Sequence, residues 1–77
     1  MIRLEVGRYY KTRSGELARI YAIDGASPNC VHGAVLTRDG WAADSWNRDG
    51  LYLAHLDDRR ESGNDLVELA PPSEQLR

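Results

Sequence analysis

An Asp-Gly pair at Asp39-Gly40, flanked on both sides by residues of β character, constrains this chain more than any other feature. The stretch runs from Cys30 through Val31, His32, Gly33, Ala34, Val35 and Leu36 to a Thr-Arg-Asp-Gly turn. It then continues from Trp41 to Trp46. A two-residue hairpin turn needs positive φ at its central positions, and Asp-Gly adopts that backbone at little steric cost. Both tryptophans and one of the two histidines lie in this hairpin, which marks it as the centre of a sheet and as a binding surface.

Around the hairpin, short apolar runs alternate with turn signals at Ser14-Gly15, Gly25 to Asn29 and Asp49-Gly50. This spacing predicts strands near residues 8–13, 17–24, 30–37, 41–46, 51–55 and 65–69. No segment carries a helical apolar period, so no helix longer than about two turns is expected. The fold class is therefore all-β: a small antiparallel β-barrel or strongly curved meander sheet, SH3-like, with five to six strands. It forms one domain over residues 1–70, and residues 71–77 are expected to be a flexible tail after Pro71-Pro72.

Alternation along Leu17 to Asp24 places Ala18, Ile20 and Ala22 in the core and Arg19 and Tyr21 toward solvent. Val6, Tyr9, Val31, Val35, Leu53, Val67 and one of the two tryptophans complete the expected core. A core built from 77 residues supplies only about 3–5 kcal/mol. The lone cysteine, Cys30, excludes an internal disulfide. The start lacks the apolar run of a signal peptide, and no stretch approaches the roughly 20 apolar residues of a membrane span. A soluble protein of the cytoplasm is the expectation. The formal net charge of −2 argues against a protein whose main work is neutralising phosphates. Phenylalanine is absent, so Tyr and Trp supply all the aromatic surface, and their polar tips favour a wet boundary.

A series of residues carries a resemblance: Tyr10-Lys11-Thr12-Arg13-Ser14-Gly15, then Ala18 to Ala22, Asp24-Gly25, His32 to Val35, Trp46 and Asp65-Leu66-Val67. In this ordering the chain, from Gly7 to Glu68, resembles short uncharacterised proteins encoded by bacteriophages and prophages. The resemblance transfers no chemistry. It implies an accessory protein at work in the cytoplasm of a bacterial host, of the kind that blocks a host defence by gripping a defence protein or sequestering a signalling nucleotide.

The candidate site residues are Arg19, Tyr21, His32, Trp46, Tyr10 and Trp41. A two-residue turn at Ser14-Gly15 would set Tyr10 opposite Arg19 and Arg8 opposite Tyr21. Arginine beside tyrosine on an open sheet suits stacking on a base or holding a phosphate, and it equally suits ordinary cross-strand pairing. A turn centred on Asp39-Gly40 would set Gly33 opposite Trp46 and Val35 opposite Asp44, leaving a tryptophan over bare backbone. A one-residue slip exchanges the inward and outward tryptophans. Cys30 and His32, two apart on a strand, would lie about 7 Å apart, too far for direct activation of the thiol. One cysteine and two histidines lack the paired spacing of a structural zinc site. The mixed-sign run Asp57 to Glu61 reads as a solvated loop. The expectation is a protein with no catalysis, cofactor or metal that binds a host bacterial protein. Its alternatives are a small nucleotide and, disfavoured by the net acidity, single-stranded nucleic acid. A homodimer is left open, and a membrane is not expected to be a partner.

Overall fold

The computed structural model describes residues 2–52 and 63–75. Five strands, β1 (Tyr9–Thr12), β2 (Leu17–Ala22), β3 (Val31–Thr37), β4 (Gly40–Trp46) and β5 (Leu66–Leu69), form one sheet in the order β4-β3-β2-β1-β5. Every pairing is antiparallel. The first four strands run as a meander and β5 returns to pair with β1. Among the described residues β4 and β5 lie at opposite edges of the sheet, which gives the open meander rather than the closed barrel. The β3–β4 hairpin stands at one edge instead of the centre expected of it, because β5 returns to pair with β1 and not with β4. The one helical element among them is a 3-10 turn at Pro72–Glu74. Of the expected strand at 51–55, Leu51 and Tyr52 lie outside any strand, and the remainder falls outside the described residues.

Both hairpin registers differ from those expected. The β1–β2 loop has three residues, Arg13-Ser14-Gly15, with Gly15 at φ 89°. It closes through Thr12 N–H to the Glu16 carbonyl at 2.8 Å and Gly15 N–H to the Thr12 carbonyl at 2.9 Å. The extra residue moves the register by one, so Tyr9, not Tyr10, faces Arg19, and Tyr10 faces Ala18. Since side chains alternate, the slip exchanges the two tyrosines between faces. Tyr10 is 1 % exposed in the core, whereas Tyr9, assigned to the core from sequence, is half-buried on the other face. In the β3–β4 hairpin the central pair is Arg38-Asp39, because Thr37 opposes Gly40. The Thr37 hydroxyl fixes this turn, donating to the Gly40 carbonyl at 2.7 Å and accepting from Asp39 N–H at 3.2 Å. That shift of two preserves which face each residue occupies and changes its partner: Trp46 opposes Val31, and Gly33 opposes Asp44.

The core comprises Tyr10, Ala18, Ile20, Cys30, Val31, Val35, Trp46 and Leu66, with Ile2, Leu4 and Tyr52 packed against it. Ala18, Ile20, Val31 and Val35 are where alternation placed them. Ala22 is half-buried, Leu53 lies outside the described residues, and two expected members are exposed. Val6 is exposed because the segment before β1 is an arm that turns at Gly7 (φ 86°), not a strand in the sheet. Val67 is exposed because a bulge at Lys11/Thr12 sets Leu66 opposite Thr12 and leaves Val67 as the extra residue.

The N-terminal arm is held by the buried Tyr10 hydroxyl, which donates to the Arg3 carbonyl at 3.0 Å and accepts from Glu5 N–H at 2.8 Å. Burial pushes the Tyr10 phenol above its ordinary pKa, which keeps the donated proton in place. Asp65, also buried, accepts from Tyr52 N–H at 2.8 Å and pairs with Arg13 at 3.3 Å. The start of the expected tail is docked: Gln75 accepts Tyr9 N–H at 2.9 Å and donates to the Tyr9 and Ala70 carbonyls at 2.8 Å. Lys11 pairs with Glu74 at 2.8 Å. Residues 76–77 lie outside the described residues.

Candidate binding face

The register places Tyr9 and Lys11 of β1, Arg19 of β2, Ala34 and Leu36 of β3, and Trp41 of β4 on the face opposite the core. Trp41 and Arg19 sit on strands separated by β3. Neighbouring strands lie about 4.8 Å apart, so the two side chains meet only by leaning across it. Ala34, the β3 residue directly beside Arg19, is small enough to permit this and is itself buried. The Arg19 guanidinium carbon lies 4.0 Å from the centre of the Trp41 ring and 5.3 Å from that of Tyr21. Arg19 Nε donates to the Tyr21 hydroxyl at 3.0 Å. The same guanidinium reaches the Tyr9 hydroxyl, and together these contacts, that with Tyr21 foremost, hold its pKa above the ordinary arginine value. Tyr9 meets Trp41 edge-on, with ring centres 6.2 Å apart at 60°.

The result is a joined cluster: two tyrosines and a tryptophan arranged around one cation. Tyr21 takes part because of a second bulge. Ile20 opposes Gly33 and Ala22 opposes His32, so Tyr21 is the extra residue, turned toward Arg19. It remains 52 % exposed and forms the open end of the cluster.

Of the six residues expected at the site, Arg19, Tyr21 and Trp41 come together. His32 is exposed at the margin, opposite Ala22 and Ser45, and its Nε2 lies 3.1 Å from the Asn29 carbonyl, a contact that places the ring proton on Nε2. Trp46 and Tyr10 belong to the core on the other face and do not join the site. Tyr9 is the member that sequence reasoning missed. The signal that finds it is the three-residue form of the Arg13-Ser14-Gly15 loop, which a glycine after Arg-Ser permits as readily as the two-residue form. Cys30 is buried in the core cluster and stands apart from the aromatic face.

Asp44, on the core face of β4, is half-buried, and burial raises its carboxyl pKa against the opposing effects of Ser45 N–H, 3.0 Å away, and Tyr52. A carboxyl whose pKa is higher folded than unfolded favours the folded state below its unfolded pKa, an advantage lost as pH rises through the folded pKa. Asp44→Asn retains an acceptor for Ser45 N–H and removes the charge. It is expected to raise the thermal midpoint at neutral pH, with the gap over wild type closing as pH falls toward the carboxylate range. A variant less stable than wild type at neutral pH would show that the ionised carboxylate stabilises the fold.

Comparison with family models, curated proteins and solved structures finds no match to the chain. What the face does is therefore read from its own chemistry.

Proposed function

We propose that this protein is a non-catalytic binding module that grips a protein partner through the Tyr9–Trp41–Arg19–Tyr21 face. The observation that carries this reading is the state of Arg19. Its guanidinium is stacked on Trp41 at 4.0 Å and bonded to Tyr21 at 3.0 Å, so it organises the rings instead of presenting a free cation. Lys11, the next cation on this face, is paired with Glu74. A nucleotide site would need such a group for phosphate. A protein interface needs rigid Trp, Tyr and Arg that bury area without losing further side-chain freedom, the composition of binding hot spots. The resemblance to phage-encoded proteins supplies the context: the partner is a host bacterial protein, which the module inhibits or redirects, as an anti-CRISPR-like counter-defence protein would.

The test is capture of a partner from host lysate by wild-type protein, followed by affinity measurement with the purified partner. Trp41→Ala and Tyr21→Ala should remain folded by circular dichroism. Each should weaken the complex about 30-fold or more, the effect of losing a hot spot worth about 2 kcal/mol. Both variants binding like wild type would place the interface elsewhere. A thermal shift with a panel of nucleotides should show no stabilisation, and a shift abolished by Arg19→Ala would favour the nucleotide reading instead.

A further inference from the structure

The outer edge of β4, on the side away from β3, is a different feature of the same sheet. Hydrogen-bonding direction alternates along each antiparallel strand. On β1, Thr12 N–H bonds the Glu16 carbonyl on one side, and Arg13 N–H bonds the Asp65 carbonyl on the other. Carried across the sheet through Tyr10↔Ala18, Arg19↔Ala34 and Val35↔Ala42, this phase turns the N–H and C=O groups of Trp41, Ala43 and Ser45 away from β3. Ser45 N–H agrees, since it bonds the neighbouring Asp44 carboxylate at 3.0 Å. Among the described residues no strand pairs with this edge.

Natural sheets shield such edges with lysine, proline or short strands. The other edge does so: β5 has four residues, carries Glu68 and is followed by Pro71-Pro72. β4 has seven residues, with neither lysine nor proline; its one charged residue, Asp44, is half-buried on the core face, and Ala42 and Ala43 are exposed.

We infer that β4 pairs antiparallel with β4 of a second copy of this chain, on a two-fold axis through Ala43. Outward groups must face outward groups, which the axis at Ala43 achieves. Ala43 meets its own counterpart, and Trp41 meets Ser45. On the other face Ala42 meets Asp44, so no like charges oppose. An axis through Asp44 would instead set two carboxylates directly against each other, which is destabilising. Pairing about Ala43 continues the sheet through both copies and presents their two aromatic clusters on one common face. The cost is local: Ser45 N–H leaves the Asp44 carboxylate for the second copy's Trp41 carbonyl.

The experiment is mass by light scattering over a wide concentration range for wild type, Ala43→Pro and Ala43→Lys. Proline removes an outward N–H that β3 does not use, and lysine sets two like charges face to face on the axis. Wild type should reach twice the chain mass at high concentration, and both variants should stay at one chain mass with an unchanged β spectrum. If the proline variant loses that spectrum, the lysine variant decides, because its side chain replaces an exposed one. Wild type at one chain mass throughout overturns the inference, assigning the edge to no second copy. A lysine variant that doubles in mass like wild type also overturns it, because the contact then lies elsewhere. Ala43→Pro adds no charge to the face that carries Tyr9, Arg19, Tyr21 and Trp41, so partner capture by this variant while it keeps its β spectrum tests the aromatic face separately from the dimer.

Discussion

Trp46→Ala is expected to unfold the protein at room temperature. Trp46 is 0 % exposed, opposes Val31, and donates its indole N–H to the Asn64 carbonyl at 2.7 Å. Truncating a buried tryptophan to alanine costs about 3–5 kcal/mol, from lost transfer energy and the cavity left behind. A fold of this size holds about the same amount in total. No disulfide is available to offset the loss, since the chain has a single cysteine. Urea denaturation followed by circular dichroism should show no folded baseline for Trp46→Ala. Trp46→Phe, which keeps most of the volume and loses the indole hydrogen bond, should unfold cooperatively at a lower midpoint. Trp41→Ala provides the contrast, because Trp41 lies half-buried on the opposite face and should retain a folded baseline. A wild-type midpoint for Trp46→Ala would mean that Trp46 is not the centre of this core.

The two tryptophans show what the sequence makes legible. They are five residues apart on one strand, so alternation sends them to opposite faces. Which one points inward depends on register, and register depends on loop length. Gly15 announces a turn without fixing whether two or three residues form it, and Gly40 announces one without fixing which pair stands at its centre. In the first hairpin the third loop residue exchanges Tyr9 and Tyr10, adjacent residues of one type that no hydrophobic pattern can separate. Alternation is decisive where it stands against a contrast in chemistry, as in Leu17 to Ile20, where Ala18 and Ile20 are buried while Arg19 lies on the other face.

Other features depend on contacts between strands distant in sequence. The Arg19–Trp41 stack needs β3 between the two strands and a small residue at Ala34. Neither strand order nor that juxtaposition is written in local spacing. The Gln75 carboxamide acts as a strand partner for Tyr9 from 66 residues away, and nothing in the polar tail carries a period that would signal it. The bulges that place Tyr21 on the aromatic face and Leu66 in the core are likewise properties of pairings, and a single strand's sequence does not display them.

Gly33→Ala is the second large effect expected, and its cause is steric. Gly33 is buried and lies outside the left-handed backbone region, so conformational freedom is not what requires glycine there. A Cβ at this position would collide with the Arg19 carbonyl oxygen and approach the Ile20 Cα at 3.1 Å. Both obstacles are backbone, so no side-chain rotation can relieve them. The two strands would have to part beside the Tyr21 bulge. Overpacking of a tight core costs about 1–3 kcal/mol and sometimes more, a large fraction of what this fold holds. The displacement falls on Arg19, so the stack on Trp41 should loosen along with the fold. Two measurements follow from one substitution: a lower urea midpoint, and a change in near-ultraviolet circular dichroism from the altered Trp41 environment. Gly7→Ala separates sterics from conformation, because Gly7 has φ 86° and an added Cβ there would meet nothing within 4 Å. Its substitution should cost about 1–2 kcal/mol of backbone strain and leave the tryptophan signal unchanged. Wild-type stability for Gly33→Ala would mean that β2 and β3 do not approach this closely. The bulge that turns Tyr21 toward Arg19 would then lose its structural basis.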